Sequence, residues 1–278
     1  MKSAKTQIKR VFKPGVFLSL HNGKKVIQKD GAILSPRQFK TERTLLRFLS
    51  KKPAFGASYE YDYTRKMLFR KAFFGKKTRK FTALELRSTA RKIAKLHGIV
   101  FPKYGRIGIK DQPRQRGTFN DAFNHYLQLI SSNAETNLID SQIRGSIQKI
   151  ISNSKKIAQR EKSLTQSSFS LIHRDLHNNN LIFSKRGPKI IDWGSAATWD
   201  PALDIALFYV KNNLPMKRFE IFMSEYCKHS PDKNIKSRVR LYVPLARLTT
   251  VLFENQALLN QQVLIALKEQ SSFIGFTK

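Results

Sequence analysis

Apolar and polar residues repeat with two different periods along this chain. In the first part they alternate, which is typical of strands with one buried face. Residues 16–20 and 25–29 alternate on either side of His21-Asn22-Gly23-Lys24. Because Asn-Gly readily adopts the positive φ angles of a tight turn, this region predicts a hairpin. Weaker alternation or aromatic enrichment predicts three more strands, over residues 6–12, 59–63 and 66–74.

In the rest of the chain, apolar residues recur every three or four positions and predict helices. The first helix begins at Ser35-Pro36 and places Phe39, Leu45 and Leu49 on one face. The strongest covers residues 81–97 and ends at Gly98, a residue type that often follows a helix. Residues 103–117 are rich in Gly, Pro and charge and predict a loop. Further helices are predicted over residues 119–130, 143–158, 203–212, 217–228, 235–254 and 261–270.

Two short apolar runs, residues 169–172 and 189–191, each lead into an aspartate. Asp175 lies in His-Arg-Asp-Leu-His-Asn-Asn-Asn, five residues before Asn180, and Asp192 opens Asp-Trp-Gly. This order and spacing is typical of a kinase catalytic loop. Phosphoryl transfer needs an oriented hydroxyl and neutralised phosphates, so three converging polar side chains suit it. The pattern predicts Asp175 as the catalytic base, and Asn180 and Asp192 as ligands of Mg²⁺.

The segment 171–206 resembles the aminoglycoside phosphotransferase and choline kinase group of the protein-kinase-like superfamily. The resemblance rests on His177 two residues after Asp175, on Ile191-Asp192-Trp193, and on Asp-Pro-Ala-Leu-Asp-Ile-Ala at residues 200–206. It implies a two-lobed α+β fold, with a small antiparallel β N-lobe plus a helix and a larger, mainly helical C-lobe. We place the nucleotide-binding lobe at residues 1–75 and the catalytic and substrate-binding lobe at 76–278. The Ala-Pro-Glu segment of protein kinases is absent, which disfavours a protein substrate.

The same resemblance assigns a nucleotide site for ATP. Lys29 ends Val-Ile-Gln-Lys, which is similar to the Val-Ala-Ile-Lys strand of kinases, and would contact the α- and β-phosphates. Glu42, on the first helix after that strand, would pair with Lys29. Lys24 and Lys25 are alternatives to Lys29. Backbone groups from Arg70 to Ala72 would meet the adenine edge, before a hinge near residue 75.

The predicted first turn, Lys13-Pro14-Gly15, is a departure from the kinase pattern. It holds one glycine and is short, so it offers few backbone N–H groups to phosphates. We expect nearby lysine side chains to take over part of this role.

Several other residues of the motif region are expected to have structural roles. His97 is expected to pack in the core, as are the two tryptophans. The resemblance implies that Asp204 anchors the catalytic loop and that Asp200 caps a helix. His173 and Arg174 would brace the loop, and His177 would orient it or contact the substrate.

The chain is strongly basic, with 52 Lys and Arg against 19 Asp and Glu and a net charge of +33. Of these, 22 basic and only 4 acidic residues lie among the first 80. Such a charge attracts anionic membranes, nucleic acid or phosphorylated molecules. It also disfavours a polycationic acceptor such as an aminoglycoside. We therefore expect a small-molecule or glycan acceptor, with an anionic membrane surface or nucleic acid as further partners of the basic face.

Cysteine content and hydropathy indicate the compartment. The one cysteine, Cys227, excludes an internal disulfide and is expected to pack in a helix. No apolar run approaches the ~20 residues of a membrane span. We expect a cytoplasmic protein, located at the inner face of a membrane if its basic face binds one.

Three functions agree with these observations. The first is ATP-dependent transfer of the γ-phosphate to a hydroxyl of a small molecule or glycan. The second is a lipopolysaccharide-sugar kinase at an anionic membrane surface, which would explain the charge. The third is a pseudo-kinase that binds RNA or another polyanion, which would explain the charge and the short first turn.

Overall fold

A computed structural model of the chain describes residues 6–52, 59–64, 66–78, 80–107, 115–136, 139–166, 168–254 and 258–275. The first part is an antiparallel sheet of five strands in the order β1-β2-β3-β5-β4, with one helix against it. Leu45 and Leu49 of the helix and Leu68 of the sheet are fully buried between them. The elements are β1 (Thr6–Lys13), β2 (Val16–His21), β3 (Lys24–Asp30), α1 (Pro36–Ser50), β4 (Tyr59–Asp62) and β5 (Met67–Lys71).

The second part is mainly helical. Its central helix α5 (Pro201–Lys211) is buried from Pro201 to Val210, as expected for a helix that is apolar on all sides. Around it lie α2 (Ala83–His97), α3 (Phe119–Thr136), α4 (Ser141–Ala158), α6 (Met216–His229), α7 (Ile235–Glu254) and α8 (Leu259–Gly275). Short strands carry the catalytic segment: β6 (Val100–Phe101), β7 (Phe169–Ile172), β8 (Leu181–Ser184), β9 (Gly187–Ile190) and β10 (Ala197–Trp199).

The two parts join directly after β5. Lys76 and Phe183 of β8 exchange backbone hydrogen bonds of 2.9 Å in both directions. A Cβ on Gly75 would lie 2.1 Å from the Phe183 carbonyl oxygen, so only glycine permits this approach. A lobe boundary at residue 75 agrees with this geometry and stays a prediction.

The predicted two-lobed α+β architecture is confirmed, and most differences lie at element ends. The β2–β3 hairpin has positive φ at Asn22 (50°) and Gly23 (73°), as Asn-Gly requires. The predicted strand 66–74 is shorter, because Lys66 is a turn residue with a φ of 51°. Helix α4 begins two residues before the predicted start, since the Asp140 carboxylate caps it by accepting from the backbone of Gln142 and Ile143.

Two features were missed or fall outside the described residues. β6 and β10 are too short to give a period, yet they flank β7 in a three-stranded sheet. Residues 108–114 of the predicted loop are not among those described.

Cys227 is half-buried and packs beside the core, as expected. None of the described helices has the length and apolar character that a membrane crossing demands.

Candidate active site

The catalytic segment brings its three motif residues to one place. Between β7 and β8 the chain forms a loop that ends in a 3₁₀ turn at Asn178–Asn180. The Asn180 side-chain amide donates to the Asp175 backbone oxygen (2.8 Å) and to Asp175 Oδ2 (3.0 Å). The β8–β9 hairpin then returns, and the Ile191 N–H donates to the Asn180 carbonyl at 3.0 Å. Asp192, the residue after Ile191, therefore lies near Asn180.

Asp204 of α5 holds the start of this loop in place. Its fully buried carboxylate accepts hydrogen bonds from the backbone N–H groups of His173 (3.0 Å) and Arg174 (2.7 Å). It also pairs with His97 Nε2 at 3.1 Å, and His97 Nδ1 contacts the Tyr226 hydroxyl at 2.8 Å. Both the anchoring role of Asp204 and the packed position of His97 agree with prediction. A φ of 63° at Arg174 shows that the loop is bent into the left-handed region here.

Asp200, Trp193 and Trp199 also lie as expected. Asp200 caps α5 by accepting from the Ala202 N–H at 3.0 Å. The two tryptophans are buried and pack against rings, Trp193 on His173 and Trp199 on Tyr104. The sequence analysis missed Arg238 of α7, whose buried guanidinium donates to Asp200 at 2.9 Å.

Lys29 lies between helix α1 and the catalytic segment. Its ammonium donates to Glu42 Oε2 at 2.5 Å and to Asp192 Oδ1 at 2.9 Å. Lys29 and Glu42 are only 4% and 2% exposed, whereas Lys24 and Lys25 are exposed. The geometry thus favours Lys29 over its two alternatives. It joins the N-lobe sheet, α1 and the catalytic segment through one side chain.

The adenine contact differs from the prediction in part. Arg70 pairs with Ile27 of β3 on one side and Tyr59 of β4 on the other, so it lies inside the sheet. Its guanidinium instead approaches Glu42 at 3.7 Å. The Ala72 N–H donates to the Lys25 carbonyl at 3.3 Å. The prediction is therefore corrected for Arg70, because a central strand has no free edge; a contact at the Ala72 carbonyl stays a prediction.

Asp192 has the electrostatic setting of a group that must stay ionised. Burial opposes its charge, but the Lys29 ammonium, with Lys13 and Arg70 nearby, holds the pKa of this carboxyl below its usual range. Lys13 opens the short first turn, and its charge reaches Asp192; a role of this lysine in binding phosphates stays a prediction. Asp192 has a φ of 63°, a left-handed conformation that costs free energy and often marks a functional position.

Asp175 is equally biased towards ionisation. Its partial burial acts against this, but a hydrogen bond from His177 and the ammonium of Lys211 hold its pKa well below the usual value. Lys211 Nζ lies 2.6 Å from Asp175 Oδ1, and His177 Nε2 lies 3.6 Å from Oδ2. His177 Nδ1 also accepts from the Asn179 N–H at 3.3 Å, so this histidine orients the loop. Burial lowers the pKa of His173, which favours its neutral form.

The donor set beside Asp175 fits a magnesium ion. The amide nitrogen of Asn180 donates to Asp175, so the amide oxygen of Asn180 points away from that bond. Asp192 contacts Lys29 through Oδ1 alone. One amide oxygen and one carboxylate oxygen are the hard ligands that Mg²⁺ prefers, with phosphates and water as the others. The described residues hold no cluster of three or more His, Cys, Asp or Glu that would form an all-protein metal site.

On the far side of Asp175 lies a cavity of about 390 Å³. Its lining includes Arg106 from the predicted loop, Arg174, Lys211 of α5, and Thr249 and Phe253 of α7. The cavity thus combines the predicted loop 103–117 with the catalytic loop and helices α5 and α7. Lys211 and Arg106 were not identified from sequence, because neither lies in a motif and their partners are distant along the chain.

Comparison with known proteins agrees with this geometry. The model of the phosphotransferase enzyme family matches residues 82–238, more than half of the chain. No curated protein sequence matches.

Solved structures with the same fold cover nearly the whole chain. Choline kinase LicA from Streptococcus pneumoniae has a TM-score of 0.64 at 17% identity, over 96% of this chain and 93% of that one; LicA is also solved in complex with AMP. Choline kinase from Cryptosporidium parvum Iowa II has a TM-score of 0.68 at 13% identity, over 99% and 91%. The ADP-bound aminoglycoside phosphotransferase APH(2'')-Ib has a TM-score of 0.61 at 18% identity, over 97% and 94%.

Sequence identities this low support a shared fold only. The matched family model, by contrast, covers the catalytic loop, the Asp-Trp-Gly segment and the anchoring helix α5. The chain belongs to the phosphotransferase enzyme family, as the motif around Asp175 predicts.

Proposed function

We propose that this protein transfers the γ-phosphate of ATP to a hydroxyl group of a small molecule or glycan. The observation that carries the proposal is the convergence of five charged or polar groups in one cleft. Lys29 contacts both Glu42 and Asp192, and Asn180 contacts Asp175. The structures of LicA with AMP and of APH(2'')-Ib with ADP support the use of a nucleotide.

The division of labour follows from the contacts. Asp175 would accept a hydrogen bond from the acceptor hydroxyl and orient its oxygen towards the γ-phosphate. With its low pKa this carboxylate is a weak base, so positioning is its main contribution. Lys211 keeps Asp175 ionised and brings a positive charge to the side of the cleft where the transferred group arrives.

On the nucleotide side, Lys29 would bind the phosphates, held in position by Glu42. Asn180 and Asp192 would hold Mg²⁺, which neutralises charge on the phosphates when it is bound. Lys13 of the first turn would supply a side-chain charge where a glycine-rich loop would supply backbone N–H groups.

The first test is thermal unfolding with and without Mg-ATP. We expect Mg-dependent stabilisation of the wild type, since a ligand that binds only the folded state raises its unfolding temperature. The shift should shrink in Asp192→Asn, which keeps the shape but removes the charge. Equal shifts in both proteins would contradict the metal assignment, and no shift at millimolar Mg-ATP would contradict ATP binding.

A second test is transfer of label from ATP to an acceptor. Asp175→Ala should reduce transfer by about 10²-fold or more, the usual contribution of a positioned acid or base. Its binding of Mg-ATP should persist, which separates a catalytic defect from misfolding. If the variant and the wild type label the acceptor equally, Asp175 is not the base.

A lipopolysaccharide-sugar kinase at an anionic membrane is the second candidate. It is supported by the net charge of +33 and by the basic lining of the cavity beside Asp175. Co-sedimentation with phosphatidylglycerol vesicles tests it; binding should fall as salt rises. The RNA-binding pseudo-kinase has less support, because the catalytic groups are assembled in contact with each other.

A further inference from the structure

Positive charge dominates the acceptor side of the cleft. Arg106 and Arg174 line the cavity that holds Asp175, together with Lys211. The same two arginines line an adjoining cavity of about 510 Å³, where Arg37 and Lys40 join them. Among the described lining residues of both cavities, Asp175 is the one acid, and it is already paired with Lys211.

Among the described residues, no carboxylate forms an ion pair with the side chain of Arg106, and the acid whose charge acts on Arg174 is the buried Asp204, which already pairs with His97. Arg106 Nη1 is buried and makes no hydrogen bond with a described residue. Burial, followed by the neighbouring charges of Arg37 and Arg174, lowers the pKa of Arg106 to about 10. Arg174 stacks near the Trp199 ring, 5.9 Å from its centroid. The guanidinium groups of Arg106 and Arg174 therefore repel each other in a partly buried space, and the exposed Arg37 adds to this repulsion. A bound anion would relieve it.

The backbone under both arginines is held by hydrogen bonds. Gly105, next to Arg106, exchanges two bonds of 2.8 Å with Thr198 of β10. The Arg174 N–H is held by buried Asp204. The site is thus organised before a ligand binds, which reduces the entropy cost of binding.

Guanidinium groups suit a particular class of ligand. Their planar donors match the oxygen pairs of carboxylates and phosphates, and such charge-assisted bonds are stronger than neutral ones. A quaternary ammonium or polyamine acceptor would instead meet repulsion from the same groups.

We propose that the acceptor of this phosphotransferase carries a carboxylate or phosphate group, which Arg106 and Arg174 bind while its hydroxyl faces Asp175. This inference rests on the proposed function and names the substrate class for it. Arg37 and Lys40 form an exposed rim that would attract the anion as it enters.

The binding test uses four sugars that share one ring: glucose 6-phosphate, glucuronate, glucose and glucosamine. Each is titrated into protein saturated with Mg-ADP, so that the nucleotide side is occupied. Tryptophan fluorescence reports binding, because Trp199 lines the second cavity and Trp193 packs on His173 of the catalytic loop. We expect at least one of the two anions to bind and to displace the other, while glucose and glucosamine bind at least 10-fold more weakly. The tighter anion distinguishes a phosphate from a carboxylate acceptor.

Variants locate the binding. Arg106→Gln and Arg174→Gln should each weaken anion binding about 10-fold or more, the usual loss for a charge-assisted hydrogen bond. Arg218→Gln, an exposed residue of α6 that lines neither cavity, is the matched control and should bind as the wild type does. Failure of both anions to bind, or equal weakening in all three variants, would overturn the proposal.

An acceptor screen with labelled ATP gives an independent readout. Anionic polyols should be labelled with kcat/KM at least 10-fold above their neutral counterparts, and Arg106→Gln should raise KM more than it lowers kcat. Preferred labelling of a cationic acceptor would overturn this inference and leave the phosphotransferase assignment standing. Absence of Mg-ATP stabilisation would contradict the proposed function itself, so the two failures are distinguishable.

Discussion

The two sides of the cleft differ in how far their positive charges are paired with carboxylates. On the nucleotide side, the Lys29 ammonium is buried between Glu42 and Asp192, with bonds of 2.5 and 2.9 Å. On the acceptor side, Arg106 and Arg174 share cavities whose described lining holds a single acid, Asp175. On the first side each buried cation faces a carboxylate, with Arg70 3.7 Å from Glu42, whereas on the second side the arginines outnumber the acids.

This difference separates the charged groups that stabilise the folded protein from those whose hydrogen-bond donors remain available to a ligand. A buried ion pair must be satisfied internally, because an unpaired charge in the interior is expensive. A cluster of like charges that is open to solvent costs less and leaves its hydrogen-bond donors for a ligand. The proposed ATP site is therefore linked to folding, while the proposed acceptor site is linked to ligand recognition.

The largest effect is expected from Glu42→Ala. It leaves Lys29 and Arg70 with one fewer buried partner, and breaking a buried pair costs about 3–5 kcal/mol. Urea unfolding measures the free energy of unfolding. Glu60→Ala is the control in the same lobe, because the Glu60 side chain that contacts His21 is 59% exposed; its cost should stay under ~1 kcal/mol. Equal losses in the two variants would remove the contrast between the two sides.

An intermediate effect is expected from Lys211→Met, at the boundary between the two sides. At pH 7 Asp175 stays ionised, so a fall in kcat of about 10-fold or more would report the lost positive charge. Lys211 helps to lower the pKa of Asp175, so its removal raises that pKa. The acid limb of the pH–rate profile should then move to higher pH. Lys211→Arg should keep the wild-type limb; an unmoved limb in Lys211→Met would show that Lys211 does not control Asp175.

The smallest effect, of opposite sign, is expected from Arg106→Leu. Removing one of three repelling guanidinium groups should stabilise the ligand-free protein by about 0.5 kcal/mol, a typical size for a partly exposed charge interaction. The measurement is urea unfolding at low salt, with Arg218→Leu as the control. Destabilisation beyond 1 kcal/mol would mean that Arg106 has a structural partner, contrary to the inferred binding role.

Local patterns were sufficient for the catalytic segment. Asp175 and Asn180 lie on one short loop, and a two-stranded hairpin brings Asp192 beside them, so their convergence depends on few residues. The Asn22-Gly23 turn and the cap at Asp200 are also local, because each is decided by the conformation and side chain of one or two residues. Lys29 and Glu42 needed the resemblance to kinases as well, since a helix and a strand must first pack together.

The surroundings of Arg70 could not be predicted from local sequence patterns. Its position at the end of an aromatic strand favoured an adenine contact, but pairing with β3 and β4 on both sides engages its backbone. Which edge of a strand stays open depends on sheet order, and no short sequence pattern encodes that order.

The chain's own residue pattern thus determined its strong positive charge and the convergence of Asp175, Asn180 and Asp192, because these follow from composition and from spacing along a short segment, and its motifs indicated the fold class through the resemblance that they carry. Only tertiary packing determined which of the basic residues lie together around one cavity. Loop residue Arg106, helix residue Lys211 and Arg174 of the catalytic loop are far apart in sequence, and β10, α5 and α7 bring them around one cavity. Coulomb interactions act through space, so the character of the acceptor site emerges only when the lobes are folded.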